Sequence, residues 1–301
     1  MAASQDPSTL EDLAEVVLKS LELFERETLV KPVGLPSGSG VLVVASGNAL
    51  PTGRILFGSE ARVCNEGEYQ AVLDGPWRPD AAVVISASGT KHAPLLVSDL
   101  LGRGIDTFLL TCDTDSPAAK LLTGTNRVVG TPSRKEPVTY NTSTYLGMIL
   151  TVTGEDPSRI RRHIQDEVAP QLAGIGDYEA YYLMVRPEFD VQREMLVTKF
   201  DELFGGRVNG RCYTTEQSLH AKTVVPWDRE LFISFGCENR YFGEKRLMIP
   251  LSEDAGFGEM LAVGYYVVGQ IQREKPQWFK QNAAQFEADQ KAWFVDASRA
   301  R

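Results

Sequence analysis

A chain of 301 residues with 43% apolar, 24% charged and 9% aromatic residues has the composition of a folded globular protein, and its length suits one large domain or two similar ones. With 40 acidic residues against 31 basic ones the net charge is −9, which argues against nucleic-acid or acidic-membrane partners and leaves room for a small anion held by local backbone dipoles. Residues 261–271, the most apolar stretch, fall far short of the roughly 20 needed to cross a bilayer.

The first ten residues lack the basic and apolar regions of a secretion signal. The four scattered cysteines (Cys64, Cys112, Cys212 and Cys237) read as reduced thiols, so a cytoplasmic protein is expected. Residues 8–27 predict an amphipathic helix, because Leu10, Leu13, Val17, Leu21 and Phe24 recur at helical period and Ser8 with Glu11 has capping-box spacing. Gly, Pro and Ser at 34–40 end it. Short β-branched runs at 41–45, 81–86, 107–111 and 127–130 predict strands, separated by helices at 52–62, 93–101, 117–122 and 142–152. Asp156 and Pro157 mark the start of a helix over 158–172.

A second alternating set follows, with strands at 181–185, 231–235 and 246–251 and helices at 191–204 and 258–272. From Lys275 the chain is polar with aromatic anchors (Trp278, Phe279, Phe286, Trp293 and Phe294), a tail suited to docking on its own domain or on a neighbouring subunit. Short, nearly continuous apolar runs suit strands covered on both faces, so the expected architecture is α/β with parallel sheets in two halves. The expected divisions are an N-terminal helix (1–33), a first half (34–155), a second half (156–285) and a tail (286–301).

Several signatures are missing from the sequence: a GxxxxGK[ST] phosphate loop, a GxGxxG helix start, a GxSxG elbow and HExxH. His92, His163 and His220 lie far apart, and no Cys or His cluster has metal-ligand spacing, so neither metal nor nucleotide cofactor is expected. The most distinctive segment is residues 83–92, where a buried strand ends in Ser86, Ser88, Gly89 and Thr90 just before a helix. Ligands of open α/β sheets sit at the carboxyl ends of strands. Hydroxyls and backbone N–H groups at a helix N-terminus there would cradle a phosphate monoester. The same pattern also suits an ordinary Ser/Thr helix cap, and both readings stand on the local pattern.

Ile85-Ser86-Ala87-Ser88-Gly89-Thr90, followed after the next strand by Thr111 to Lys120 with Ser116-Pro117-Ala118, resembles the sugar isomerase (SIS) domain, with its Ser-x-Ser-Gly-x-Thr loop and later "T…SPLA" stretch. Glu136 and the Thr139–Thr144 helix opening are similar to the family's Glu and Ser/Thr element. Residues 197–203 resemble its "LKxKE" helix, and 216–222 its "ELKHG" loop. The resemblance covers about residues 35–155, and 178–285 more weakly. It implies two flavodoxin-like three-layer αβα SIS halves with parallel sheets, and a homodimer.

The resemblance also implies roles. Ser86, Ser88, Gly89 and Thr90 would hold the anionic group, with Lys91 beside them and Glu136 in the binding set. Ser46, Gly47 and Asn48 would line the sugar pocket. Glu202 would shuttle the proton between C1 and C2, His220 would open the ring, and Lys199 or Lys222 would steady the enediolate. Two departures bear on the substrate: Ala49 stands where the family's first loop has Ser, and Lys91 stands at the expected Thr position. The expected function is an aldose–ketose isomerase of an anionic monosaccharide, foremost a sugar phosphate. The alternatives are a non-catalytic sugar-phosphate-binding regulator, or an isomerase for a sulfonated or unphosphorylated sugar.

Overall fold

The computed structural model describes residues 9–27, 29, 34–124, 127–221 and 223–299. In chain order its helices and strands are α1 (Leu13–Arg26), β1 (Val41–Ala45), α2 (Ala49–Phe57), β2 (Arg62–Cys64), α3 (Tyr69–Asp74), β3 (Ala81–Ile85), α4 (Ala93–Gly102), β4 (Asp106–Thr111), β5 (Val128–Gly130) and α5 (Thr142–Thr153). There follow α6 (Pro157–His163), β6 (Ala180–Val185), α7 (Arg193–Phe204), β7 (Asn209–Thr214), α8 (Thr215–His220), β8 (Glu230–Phe235), β9 (Lys245–Ile249), α9 (Phe257–Glu274) and α10 (Trp278–Arg299). They form two compact units. One holds Leu23–Arg134 and Ser143–Gly154, and the other holds the chain up to Glu22, Lys135–Thr142 and Glu155 onward.

The first of these units is built on a five-stranded sheet, all parallel, in the order β2-β1-β3-β4-β5. Every residue of β1 and β3 is buried, as apolar parallel strands must be when helices cover both faces. On one face Leu42, Val44, Ala82, Val84 and Leu109 pack with Leu96, Val97 and Leu100 of α4 and with Tyr69 and Leu73 of α3. On the other face α2 approaches through Gly53, where a Cβ would lie only 3.1 Å from Ile85 and 3.3 Å from Val43. The chain places β2 on one side of β1 and β3 on the other. That reversal puts the topological switch point between β1 and β3, whose carboxyl ends meet in register at Ala45 and Ile85.

The other unit repeats the order without a fifth strand: β7-β6-β8-β9, again all parallel. On one face Phe200 of α7 packs on Tyr181, ring centroids 5.7 Å apart, and on Gly210, where any Cβ would overlap the Phe200 ring. On the other face Tyr182, Met184 and Phe232 pack with Tyr213 and Phe242. There α8 closes over them, with the Tyr182 hydroxyl donating to Ser218 at 3.3 Å. The crossover from β8 to β9 is the loop 236–244 and contains no helix. At the start of α9 the Glu155 carboxylate accepts from the amides of Gly256, Gly258 and Glu259 at 2.9, 2.7 and 2.9 Å.

The fold is thus α/β with two parallel sheets and helices on both faces of each, as the apolar runs and the resemblance implied. Boundaries differ in instructive places. The first helix starts at Leu13, and its cap is Asp12, whose Oδ1 accepts from Glu15 N at 2.8 Å. The expected capping partner, Ser8, lies outside the described residues. The helix expected over 52–62 is α2, which ends at Phe57 and leaves Arg62 to begin β2. Residues 117–122 hold only a single 3₁₀ turn, Ala119–Leu121. The aromatic tail is helical, and its first turns dock on their own unit, with Phe279 stacked on Tyr140 at 4.9 Å and Arg207 over Trp278. Among the described residues no helix is long and apolar enough to cross a membrane.

Candidate active site

The switch point of the five-stranded sheet places two loops side by side: Ser46-Gly47-Asn48 after β1 and residues 86–92 after β3. The second loop is fixed by its own hydroxyls and by the strand next door. Ser86 Oγ accepts from Gly89 N at 3.1 Å, and the Ser88 and Thr90 hydroxyls share a 2.7 Å bond. Ala87 O accepts from Cys112 N at 3.0 Å and from Thr111 Oγ1 at 2.9 Å, and Gly89 O accepts from Ala118 N at 3.1 Å. Gly89 has φ 61, and a Cβ there would overlap the Ser116 side chain, so only glycine fits.

Donor counting shows what this loop offers. A hydroxyl has one proton and two lone pairs. Ser86 uses an acceptor site on Gly89 and keeps its proton, and the Ser88–Thr90 pair consumes one proton of two. The helix that follows, α4, begins at His92 with no side-chain cap hydrogen bond, has Pro94 in its first turn, and carries no acidic residue there. The α2 helix after the first loop likewise lacks a side-chain cap and an acidic first turn. Gly47, with φ 54, leaves open space where a side chain would stand. The first amides of α2 are spent on Ser46 O and Gly47 O, so hydroxyl protons, the first amides of α4 and a partial positive charge gather at one end of one sheet, the chemistry of an anion seat. Lys91 is exposed, and partial desolvation lowers its ammonium from the ordinary lysine value. Ala49, in the place of the family's Ser, is buried at 2% exposure and contributes packing.

The acid–base candidates lie in the four-stranded unit. Lys199 and Glu202 stand one helical turn apart on α7, and Lys199 Nζ donates to Glu202 Oε2 at 2.6 Å. The lysine is fully buried. Its other two donors go to the backbone carbonyls of Thr139, at 3.1 Å, and Tyr140, at 2.8 Å, and the Tyr265 ring lies 5.3 Å away. Burial holds the Glu202 carboxyl above the ordinary carboxylate range, with the Lys199 charge opposing that rise. Glu136 is engaged in the backbone: its Oε2 accepts from Thr142 N at 2.6 Å and its Oε1 lies 3.5 Å from the Ser20 hydroxyl.

His220 ends α8 and is exposed. Where the resemblance implied a loop, residues 215–220 form a helix, opened by a capping box between Thr214 and Gln217. Lys222 lies outside the described residues. Thr139 and Tyr140 were singled out only as part of the 139–144 helix opening; the part their carbonyls play in seating the buried lysine went unnoticed. Asn141 (φ 47) is of a residue type that tolerates left-handed backbone, and it was the one legible sign of a tight turn; Thr139 (φ 73) gave none.

No protein-family model and no curated protein matches the sequence. Solved structures match its fold. Tagatose-6-phosphate ketose/aldose isomerase from Escherichia coli superposes with a TM-score of 0.56 at 10% identity, over 87% of each chain. Glucosamine-6-phosphate deaminase from Thermotoga maritima gives 0.56 at 14% identity, over 87% of this chain and 91% of that one. With two parallel sheets that share one strand order between them, and likeness over most of its length to such structures, the chain has an α/β fold like that of these sugar-phosphate enzymes, an SIS-like fold.

Proposed function

We propose that this chain is an aldose–ketose isomerase acting on an anionic monosaccharide, with sugar phosphates as the substrate class. The observation that carries the proposal is the loop at the first switch point: one unspent hydroxyl proton on Ser86 and one left to the Ser88–Thr90 pair, beside a helix start with no side-chain cap, in a fold shared with a sugar-phosphate isomerase. Gly89 shapes that loop, Lys91 adds a full charge, and Ser46, Gly47 and Asn48 face the sugar.

Glu202 is the base that lifts a proton from C2 and returns it to C1. A carboxylate whose proton affinity is raised by burial is better matched to neutral pH than an ordinary one. His220 opens the ring by moving a proton between the ring oxygen and the anomeric hydroxyl. An ammonium has three donors, and those of Lys199 are taken by Thr139 O, Tyr140 O and Glu202, so of the two lysines Lys222 is assigned to the enediolate. Glu136 shapes the Thr142 turn.

The test is exchange in D2O with a panel of aldose and ketose phosphates, EDTA present, followed by proton NMR. Deuterium entering C1 or C2 with appearance of the isomer supports the proposal. A ligand that raises the melting temperature yet stays chemically unchanged would make the protein a sugar-phosphate-binding regulator. Release of ammonia from an amino-sugar phosphate would assign it deaminase chemistry.

A further inference from the structure

The turn from Glu136 to Thr142, within the four-stranded unit, is held at three points. Glu136 Oε2 closes it onto Thr142 N. The fully buried Tyr140 ring stacks on Phe279, and its hydroxyl shares hydrogen bonds with the Gln272 amide at 2.9–3.2 Å. The Lys199 ammonium takes the carbonyls of Thr139 and Tyr140. Positive φ at Thr139 (73) and Asn141 (47) brackets Tyr140. A β-branched residue in that region is a true outlier, which persists only when its surroundings impose it. Successive carbonyls of an extended chain point to opposite sides, whereas these two reach one ammonium. A fully buried ammonium in turn needs every donor satisfied, and the third goes to Glu202.

We infer that the left-handed turn at Thr139–Asn141 is a positioning device for Glu202: its two carbonyls fix the Lys199 ammonium, and the ammonium fixes the carboxylate. Lys199 and the turn are then positioning elements, neither touching substrate. The inference rests on the isomerase reading only for what Glu202 does; the mechanical link stands without it. The titratable groups that face Glu202 are Lys199 and Asp201 on its own helix and Tyr140 on the turn, with Asp12 and Glu136 facing Tyr140 in addition.

The link is tested at Asn141, which is exposed, so that substitution leaves the core alone; its side-chain amide lies 3.4 Å from Thr139 O. Glycine accepts positive φ freely, whereas valine resists it. Glu202 is followed by 13C NMR of protein labelled at the glutamate carboxyls, its resonance assigned by loss in Glu202→Gln. Asn141→Gly is expected to titrate as the parent does. Asn141→Val is expected to raise the Glu202 midpoint by about half a pH unit, or threefold in proton affinity, because the opposing ammonium is no longer held against it. In a Lys199→Met background the valine effect is expected to vanish.

A parental midpoint in Asn141→Val, or a valine effect that survives without Lys199, would overturn the inference. Should Asn141→Val fail to fold, Asn141→Ala decides: alanine also resists positive φ, at smaller cost, so a midpoint there equal to that of Asn141→Gly would overturn the inference. None of these readouts needs turnover. Failure of the D2O exchange test would therefore remove the isomerase reading and leave the link standing, and failure of the link would leave that reading intact.

Discussion

Lys199 shows how burial and donor counting assign a role that residue type alone leaves open. An ammonium with no exposed surface and three protein acceptors has nothing to offer a ligand, and removing it strands a mostly buried carboxylate. Breaking such a pair typically costs about 3–5 kcal/mol, so Lys199→Met should lower stability by that order in denaturant melts. Glu202→Gln keeps the shape and removes the proposed base, and should lower kcat by roughly 10² or more with little change in ligand-induced thermal shift. The raised Glu202 carboxyl loses its proton later as pH climbs, so the acid limb of kcat/KM should lie above the ordinary glutamate value. At the anion loop, Gly89→Ala must relieve both a positive φ and an overlap with Ser116. It should cost about 1–3 kcal/mol of stability and weaken phosphate binding, read by calorimetry.

Among the elements, the buried strands were legible, as were the edge strands β5 and β9, but the edge strands β2 and β7 were not. β1, β3 and β6 are continuous apolar runs, and β8 is one but for Glu230 and Ser234, because neighbours lie on both sides and helices on both faces. β2 and β7 are edges: Arg62-Val63-Cys64 is three residues with an exposed arginine, and Asn209 to Thr214 holds Gly210 against Phe200 in place of an apolar side chain. Missing both hid the shared strand order of the two sheets. The Ser86–Thr90 loop and Glu202 could be found because their patterns are contiguous. The lysine's seat could not, since Thr139 and Lys199 are brought together only by folding. Capping by a distant residue is equally silent in sequence. Glu155 serves three amides of an 18-residue helix, and Glu155→Ala should cost about 2 kcal/mol in thermal or denaturant unfolding.

For the molecule as a whole, a chain of net charge −9 would have to attract the proposed anionic substrate locally. Lys91, whose ammonium is lowered from the ordinary value, gives up its charge at lower pH than a free lysine. Phosphate affinity should therefore decline on the alkaline side earlier than an unperturbed lysine would allow, and Lys91→Ala should weaken binding at neutral pH and flatten that decline. A ligand at 100 times its dissociation constant adds about 2.7 kcal/mol, so a melting-temperature screen of phosphorylated, sulfonated and neutral sugars will rank the anionic group directly. The two sheets are alike in strand order and unlike at the place where this matters. After β3 the chain enters a helix, whereas after β8 it runs straight through residues 236–244 to β9. With no helix N-terminus directly behind β8, the second sheet lacks the counterpart of the α4 dipole behind β3. Duplicated architecture therefore does not double the capacity: an isotherm for sugar phosphate should saturate at one equivalent per chain, with a single class of heat.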